Sequence, residues 1–244
     1  MMRTLIWFFR FFGSLLLLTP KCNRLNKMKQ QGDPKADELI GQAIAQWADM
    51  RMVAAGVTVE VTGQENIPKE PVVFVANHQG YFDIPVLLTR LDKPHPLISK
   101  KEIGQIPMIK KWMEMLDCVF IDRDNPRQSV AGLNTAAQAL REHGKSFIIF
   151  PEGTRSKGGP THEFKNGGFK VAFKAGCPIV PICIDGTYRA MEANNYRIQP
   201  AHVKMTILPA IETKGMSREE TKQIGERVRK EIEALLPEPH KIQN

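Results

Sequence analysis

Residues 71–83 read PVVFVANHQGYFD, a pattern typical of a strand that leads through a turn into a helix. Residues 72–76 are apolar throughout, which suits a strand covered on both faces of a sheet. Asn77 and His78 follow directly, and Pro85 favours a helix that starts near Asp83. Open α/β sheets hold their ligands beyond the carboxyl ends of strands. The stretch therefore predicts an imidazole at such an edge.

Short apolar runs alternate with helical patterns on both sides of this stretch. The runs predict strands at residues 57–61, 72–76, 96–99, 118–121, 147–150, 179–184 and 203–208. Helices are predicted at residues 129–143 and 167–175, and a capping box at Ser217 begins a last helix. That helix would bury Ile224, Val228, Ile232 and Leu235 on one face. We expect one α/β domain over residues 56–244, with a mixed, largely parallel sheet flanked by helices, and a loose tail after Pro237.

The first 55 residues are expected to form a two-helix membrane anchor. Residues 5–18 are the most apolar part of the chain, but as a helix they reach about 21 Å, short of the roughly 30 Å hydrocarbon core. Arg10 makes spanning costlier still. A helix lying in one leaflet fits best, with four basic residues at anionic headgroups: Lys21, Arg24, Lys27 and Lys29. The expected location is therefore peripheral, on the cytoplasmic face of the cell membrane.

Two alternatives remain open for this segment. A secretory signal is conceivable, although residues 17–21 offer no small-residue cleavage site. The second helix, which Asp33 would cap with Pro34 as its first residue, could face the membrane or pack on the α/β domain. Its apolar face is predicted from the spacing of Ile40, Ala43, Ile44, Trp47, Met50 and Ala54.

The net charge of +8 is concentrated at the amino-terminal end, since residues 1–35 carry +6 of it. Such a distribution favours a local anionic partner, here a phospholipid surface, and no nucleic-acid partner is expected. Four scattered cysteines support neither a disulfide framework nor a zinc site. No metal or cofactor is expected, and the chain contains neither a P-loop nor a dinucleotide-binding glycine motif.

His78 and Asp83 allow two interpretations. If Asp83 begins the helix that follows the turn, its carboxylate can orient the imidazole and leave the other ring nitrogen free to accept a proton. Alternatively, Asp83 only caps that helix and His78 only ends a strand. Spacing alone favours the second interpretation.

Three further stretches change the balance. Residues 150–156 read FPEGTRS, in which Gly153 lets the backbone approach a ligand and Arg155 offers a planar fork suited to phosphate. Residues 119–123 deliver Asp122 and Arg123 to the end of a strand, where the two could also form an exposed ion pair. Residues 180–182 read VPI, and a proline within a strand predicts an edge or a bulge.

The order NHxxxxD, FIDR, FPEGTRS and VPI resembles the glycerophospholipid acyltransferase family over residues 57–210. The resemblance implies transfer of a fatty acyl group from acyl-CoA or acyl-carrier protein to the sn-2 hydroxyl of lysophosphatidic acid, giving phosphatidic acid. It makes His78 the general base and Asp83 its orienting partner, with no acyl-enzyme. The implied acceptor-binding residues are Lys100, Lys101, Arg123, Glu152, Gly153, Thr154 and Arg155. Pro181 belongs to the implied site, and Lys165 either contacts phosphate or is solvated.

One residue departs from the family pattern. Asp117 stands where the family usually has glycine, three residues before the phenylalanine of FIDR. A sibling enzyme acting on glycerol 3-phosphate or another lysolipid, and a non-catalytic protein that binds anionic lipid, remain the alternatives.

Overall fold

The computed structural model describes residues 1–240. Three helices come first: α1 (Met2–Leu17), α2 (Thr19–Gln30) and α3 (Ala36–Ala55). The remaining helices are α4 (Asp83–Arg90), α5 (Pro107–Met115), α6 (Pro126–His143), α7 (Lys170–Ala175) and α8 (Arg218–Glu233). The strands are β1 (Val57–Thr62), β2 (Val73–Ala76), β3 (Ile98–Lys100), β4 (Val119–Ile121), β5 (Phe147–Ile149), β6 (Ile179–Asp185) and β7 (Ala201–Ile207).

The main sheet has the strand order β1-β7-β6-β2-β5. Its pairs are parallel except for β6 with β7, so the predicted mixed, largely parallel sheet is confirmed. The strands β3 and β4 form a separate parallel pair, which a bridge from Leu97 to Ile148 joins to the edge of the main sheet. Two apolar cores cover the two faces, as expected for strands that are apolar on both sides.

Pro181 lies in the central strand of this sheet, so the predicted edge position is wrong. It is aligned with Val75 of β2, and its carbonyl oxygen accepts the N–H of Leu208 at 2.9 Å. The ladder therefore loses only the hydrogen bond that the proline nitrogen cannot donate.

The amino-terminal segment differs from the predicted pair of helices. The segment contains three helices, and α3 packs on the α/β domain through buried Ile40, Ala43 and Met52 rather than facing outward. Met50, predicted to be buried, is exposed. The helix begins at Ala36, because Asp33 instead accepts the N–H of Lys35 in a turn before it.

Lys29 was predicted to contact lipid headgroups, but its ammonium instead joins this segment to the domain. Its ammonium pairs with Asp117 at 2.7 Å and with Asp37 at 3.1 Å, and Lys145 contacts the same two carboxylates. Asp117 has a left-handed backbone (φ 63°), the conformation that glycine adopts most readily. The departure from the family pattern therefore keeps the turn and adds a carboxylate to it.

The carboxyl-terminal end also differs in detail. The helix α8 has the predicted capping box at Ser217 but ends at Glu233, so Leu235 is exposed and Leu236 fills the core instead. After Pro237 the chain forms a short helical turn in which His240 is buried. The rest of the tail that was predicted to be loose lies outside the described residues.

Candidate active site

His78 and Asp83 meet at the carboxyl end of β2. The strand ends at Ala76, α4 begins at Asp83, and the intervening turn brings His78 Nδ1 within 2.7 Å of Asp83 Oδ2. The carboxylate is fully buried, whereas 18% of the histidine side chain is exposed. The ring lies against Phe150, with centroids 4.1 Å apart. Among residues 1–240 no hydrogen bond is made by Nε2, so this nitrogen is available to a ligand.

Two further donors fix the Asp83 carboxylate. Its Oδ2 also accepts the N–H of Gly80 at 2.9 Å, and its Oδ1 accepts the hydroxyl of Thr187. Thr187 is completely buried in the loop after β6. Three donors therefore hold a buried carboxylate in one orientation, which in turn sets the orientation of the imidazole.

The side chains beside His78 lock the turn to β6. The amide of Asn77 pairs reciprocally with the backbone of Ile184, with both hydrogen bonds at 2.8 Å. The Gln79 side chain accepts the N–H of Gly186 at 2.8 Å. Amide side chains are suited to these positions because each can donate and accept at once. The turn is consequently rigid on both sides of the histidine.

Glu152 lies behind His78 rather than facing an open cleft. One carboxylate oxygen accepts the N–H of His78 at 2.6 Å, and the other accepts the N–H of His162 at 2.8 Å. The residue is 2% exposed, and burial raises the pKa of its carboxyl group to about 8 although the two N–H donors act in the opposite direction. This placement favours a support for the turn over the predicted contact with an acceptor.

Replacement of Glu152 by glutamine tests this support. Below its ordinary pKa of 4.5 the group is protonated in both states, and between about pH 5 and pH 8 the folded chain binds the proton more tightly. Stability from this group therefore falls as the pH rises through that window. The variant should be less stable, because its NH₂ would face an N–H, and its unfolding free energy should vary less with pH. Urea unfolding at both ends of the window, beside Glu65→Gln as an exposed control, measures both effects; equal slopes would contradict the assignment.

The FPEGTRS loop runs beside the histidine turn. Ser156 N–H donates to the His78 carbonyl at 2.8 Å, and Lys157 N–H donates to the Gln79 carbonyl at 3.0 Å. These bonds place Arg155 next to the turn, where its guanidinium carbon lies 3.6 Å from the centroid of the Tyr81 ring. An arginine so held presents several N–H donors in a fixed plane.

Arg123 and Lys165 both approach Gly153 of the same loop. Arg123 donates to the Gly153 carbonyl, and both side chains lie where a Cβ at position 153 would point, with their nitrogens 2.8 Å and 3.6 Å from it. Gly153 has a φ of 75°, so a side chain there would be both strained and crowded. Two exposed cations thus converge on this loop.

The remaining predicted acceptor-binding residues are less closely gathered. Thr154 is exposed on the same loop. Lys100 and Lys101 lie at the end of β3, where both are exposed, and Lys101 is held by Asp122 at 2.6 Å. Asp122 thereby pairs with Lys101 rather than with Arg123. Within residues 1–240, no group of three or more His, Cys, Asp or Glu side chains is arranged to hold a metal ion.

An apolar cavity of about 610 Å³ lies between the amino-terminal helices and the domain. Its wall includes Trp7 and Phe11 of α1, Trp47 of α3 and Trp112 of α5. Tyr81 and Phe82 also line it, and both belong to the turn that connects His78 to Asp83. The cavity therefore reaches the turn between His78 and Asp83, although neither of these two side chains lines it.

Comparisons with known proteins agree with this arrangement. The family model described as "Acyltransferase" matches residues 58–185, slightly more than half of the chain. The chain thus belongs to a class of α/β proteins with an acyl-transfer signature, and specifically it is a member of the Acyltransferase family.

Individual relatives carry a more specific name. A crystal structure of the 1-acyl-sn-glycerophosphate acyltransferase PlsC from Thermotoga maritima is similar with a TM-score of 0.75 and 29% identity, covering 96% of both chains. The "1-acyl-sn-glycerol-3-phosphate acyltransferase" of Borreliella burgdorferi is 31% identical over 73% of this chain and 71% of its own length. A Mycoplasma pneumoniae protein named "Probable 1-acyl-sn-glycerol-3-phosphate acyltransferase" is 41% identical over 61% of this chain. The match spans about half the length of the two Mycoplasma relatives.

Proposed function

We propose that the protein transfers a fatty acyl group from a thioester to the sn-2 hydroxyl of 1-acyl-sn-glycerol 3-phosphate, giving phosphatidic acid. The observation that supports this most directly is the His78–Asp83 pair, whose Nε2 makes no hydrogen bond within residues 1–240. Tyr81, in the turn between the two residues, contacts Arg155 and lines the apolar cavity. The relatives that match this chain carry the name of the same reaction.

In the proposed reaction His78 is the general base. Its Nε2 accepts the proton of the acceptor hydroxyl as that oxygen attacks the thioester carbonyl, and Asp83 stabilises the resulting imidazolium. The new C–O bond forms, the C–S bond breaks, and the proton passes to the departing thiolate. Imidazole suits this role because it is largely neutral yet still basic near pH 7. A thioester carries a good leaving group, so we propose direct transfer that needs no metal, cofactor or acyl-enzyme.

The cationic side chains would bind the phosphate of the acceptor. Arg155 is the principal candidate, because it lies beside the histidine turn with most of its donors unused by the described residues. Arg123 and Lys165, which converge at Gly153, would complete the phosphate site. In this proposal the approach to the phosphate site is lined by Lys100, Lys101 and Thr154. Glu152 does not contact the phosphate and instead supports the histidine turn.

The apolar cavity would receive an acyl chain. Its wall is almost entirely aromatic and aliphatic, and it extends from the catalytic turn to α1. Each CH₂ moved from water into such a cavity gains about 0.8 kcal/mol. A chain bound there would lead back to Tyr81 and Phe82, and hence to His78. The co-substrate in this proposal is acyl-CoA or acyl-carrier protein.

We further propose that the amino-terminal segment, residues 1–55, seats the enzyme in one leaflet of the cell membrane on the cytoplasmic face. In α1 one side is exposed and apolar, with Leu5, Phe9, Phe12, Leu16 and Leu17 on the surface. Lys21, Arg24 and Lys27 follow it and are exposed as well. No single helix among residues 1–240 has the length and hydropathy to cross a bilayer. The pair α1 and α2, bent by 46°, reaches that length and hydropathy only when the two helices are counted together.

Charge placed on the apolar side of α1 should release the protein from lipid. The double variant Phe9→Asp, Leu16→Asp is expected to bind anionic phospholipid vesicles at least about tenfold more weakly, because burying a large apolar side chain is worth about 1.5–3 kcal/mol. Vesicle co-sedimentation measures the change. Val130→Asp, an exposed apolar residue of α6, is the matched control and should bind as the wild type does; equal binding by all three proteins would exclude α1 as the anchor.

The proposed activity is tested by a transfer assay with purified protein. Labelled acyl-CoA or acyl-carrier protein is offered with lysophosphatidic acid, glycerol 3-phosphate or a lysolipid without a terminal phosphate, and the product is identified by mass. We expect phosphatidic acid from lysophosphatidic acid and little product from the others. Preference for glycerol 3-phosphate would assign a sibling reaction, and no incorporation with any pair would leave only a lipid-binding protein.

A further inference from the structure

Glu192 is a buried carboxylate that the proposed reaction does not use. It begins the short helical turn Glu192–Asn194 in the loop after β6, and its side chain is fully buried. One oxygen, Oε1, accepts the N–H of Tyr81 at 2.7 Å and a hydrogen bond from Arg155 Nη1 at 3.2 Å. The carboxylate therefore contacts the catalytic turn and the arginine together.

Gly80 shows how closely Glu192 approaches the turn. A Cβ at position 80 would come within 2.7 Å of Glu192 Oε2, so a side chain there would displace the carboxylate. That oxygen is buried, and among residues 1–240 it has no hydrogen-bond partner. Burial raises the pKa of Glu192, whereas the Tyr81 N–H and the Arg155 guanidinium act in the opposite direction. A buried carboxylate oxygen without a hydrogen-bond partner destabilises the fold, and this argues against a purely structural role for Glu192.

Arg155 is gripped on two sides by this arrangement. The ring of Tyr81 covers one face of the guanidinium, and Glu192 accepts one of its N–H groups. Both contacts are partly withdrawn from water, since the arginine side chain is 22% exposed. An arginine with a flexible stem loses less entropy on binding phosphate when it is already held in place.

We propose that Glu192 is a positioning residue that holds the Arg155 guanidinium on Tyr81, so that an acceptor phosphate binds at a fixed place relative to His78 Nε2. The inference rests on the proposed function, because it assigns Arg155 to the phosphate. Only one arginine N–H is used by Glu192, and the others remain for the phosphate oxygens.

Glu192→Gln tests the proposal, since it keeps the size and an acceptor for Tyr81 N–H but removes the charge. The kcat/KM for lysophosphatidic acid should fall about tenfold or more, the range for a hydrogen bond to a charged group, and the KM for the acyl donor should be unchanged. In an Arg155→Ala background the same substitution should add less than twofold. Glu65→Gln, an exposed carboxylate, should leave all of these constants unchanged.

The results separate the possible failures. If the wild type makes no phosphatidic acid, the proposed function fails; if it does and the effect of Glu192→Gln is equal in both backgrounds, Glu192 is only structural and the inference fails. An unchanged or higher acceptor kcat/KM also overturns it. Thermal unfolding checks that the variant folds. Should it not fold, Glu192→Asp replaces it, because the shorter side chain keeps the charge but draws the carboxylate away from Arg155. A loss of kcat/KM for the acceptor alone supports the proposal, and unchanged acceptor constants overturn it.

Discussion

Replacing His78 by alanine is expected to lower kcat for acyl transfer by about 10³–10⁴, the upper part of the range for a general base. The hydroxyl of a lipid acceptor is a poor nucleophile until its proton is removed during attack. Another imidazole near this edge, that of His240, lies 3.8 Å from the Asp185 carboxylate, beyond hydrogen-bond distance. The KM values for donor and acceptor should change little, because the cavity and the cationic side chains remain. Steady-state kinetics with both substrates measure the split.

The same variant should keep its fold. The ring is partly exposed, contacts Phe150 on one face, and the N–H that Glu152 accepts belongs to the backbone of His78 rather than to its ring. His143→Ala, which removes an exposed histidine at the end of α6, is the matched control and should retain full activity. If His78→Ala keeps more than about a tenth of the wild-type kcat, His78 is not the base.

The His78–Asp83 pair is local, since a strand, a turn and a helix start occupy residues 72–83. The spacing of these residues alone nevertheless favoured a helix cap and a strand-end histidine, and only the order of the four motifs changed the prediction to a catalytic pair. Gly80 belongs to the same stretch, but the sequence alone did not show why a glycine stands at this position. The carboxylate that lies against this glycine belongs to Glu192, which is 111 residues from Tyr81 in the chain.

The residues that support Asp83 and Arg155 could not be predicted, because they are distant from them in the chain. Thr187 contacts Asp83 across 104 residues of sequence, and a lone threonine after a strand carries no signal of its own. Glu192 lies in a stretch that reads AMEAN, which resembles any short loop. Both reach the site because β6 pairs directly with β2, a neighbour relation set by the whole sheet. Knowledge that β6 pairs with β2 would have placed the loop after β6 near the site, but it would not have shown that Thr187 or Glu192 contacts it.

The amino-terminal helices show the opposite limit. The periodicity of the sequence located the apolar face of α3 but could not show whether this face contacts lipid or protein, because a helix in either place has the same apolar spacing. The structure places that face in the main core, and the charges of Lys29 and Lys145 join with Asp37 and Asp117 beside it. Among the helices of residues 1–55, α1 has the wide exposed apolar side, so within the proposed anchor we expect α1 and the basic residues after it to make the lipid contact.

Asp83→Asn should lower kcat by about 10²–10⁴ while leaving the unfolding free energy equal or higher. Asparagine can keep its oxygen towards His78 Nδ1 and Gly80 N–H, because the Thr187 hydroxyl can accept from the amide as readily as it donates to Asp83. The imidazole then stays in place but loses the negative charge that stabilises it once protonated. In the flipped orientation the amide would instead favour the tautomer whose Nε2 carries hydrogen and cannot accept a proton.

Thr187→Val separates the effect of the Asp83 charge from the effect of the Asp83 orientation. The valine removes the hydroxyl that orients Asp83 but keeps the charge, so its kcat should fall only about tenfold, the value of one lost hydrogen bond. In the Asp83→Asn background the valine should cost more, because the amide NH₂, which takes the place of Asp83 Oδ1, would then lack the Thr187 hydroxyl as its acceptor. Kinetics of the two single variants and the double variant, with urea unfolding of each, measure this order. If Asp83→Asn destabilises the fold in proportion to its loss of activity, the carboxylate is a structural cap, and charge at Asp83 is not what makes His78 a base.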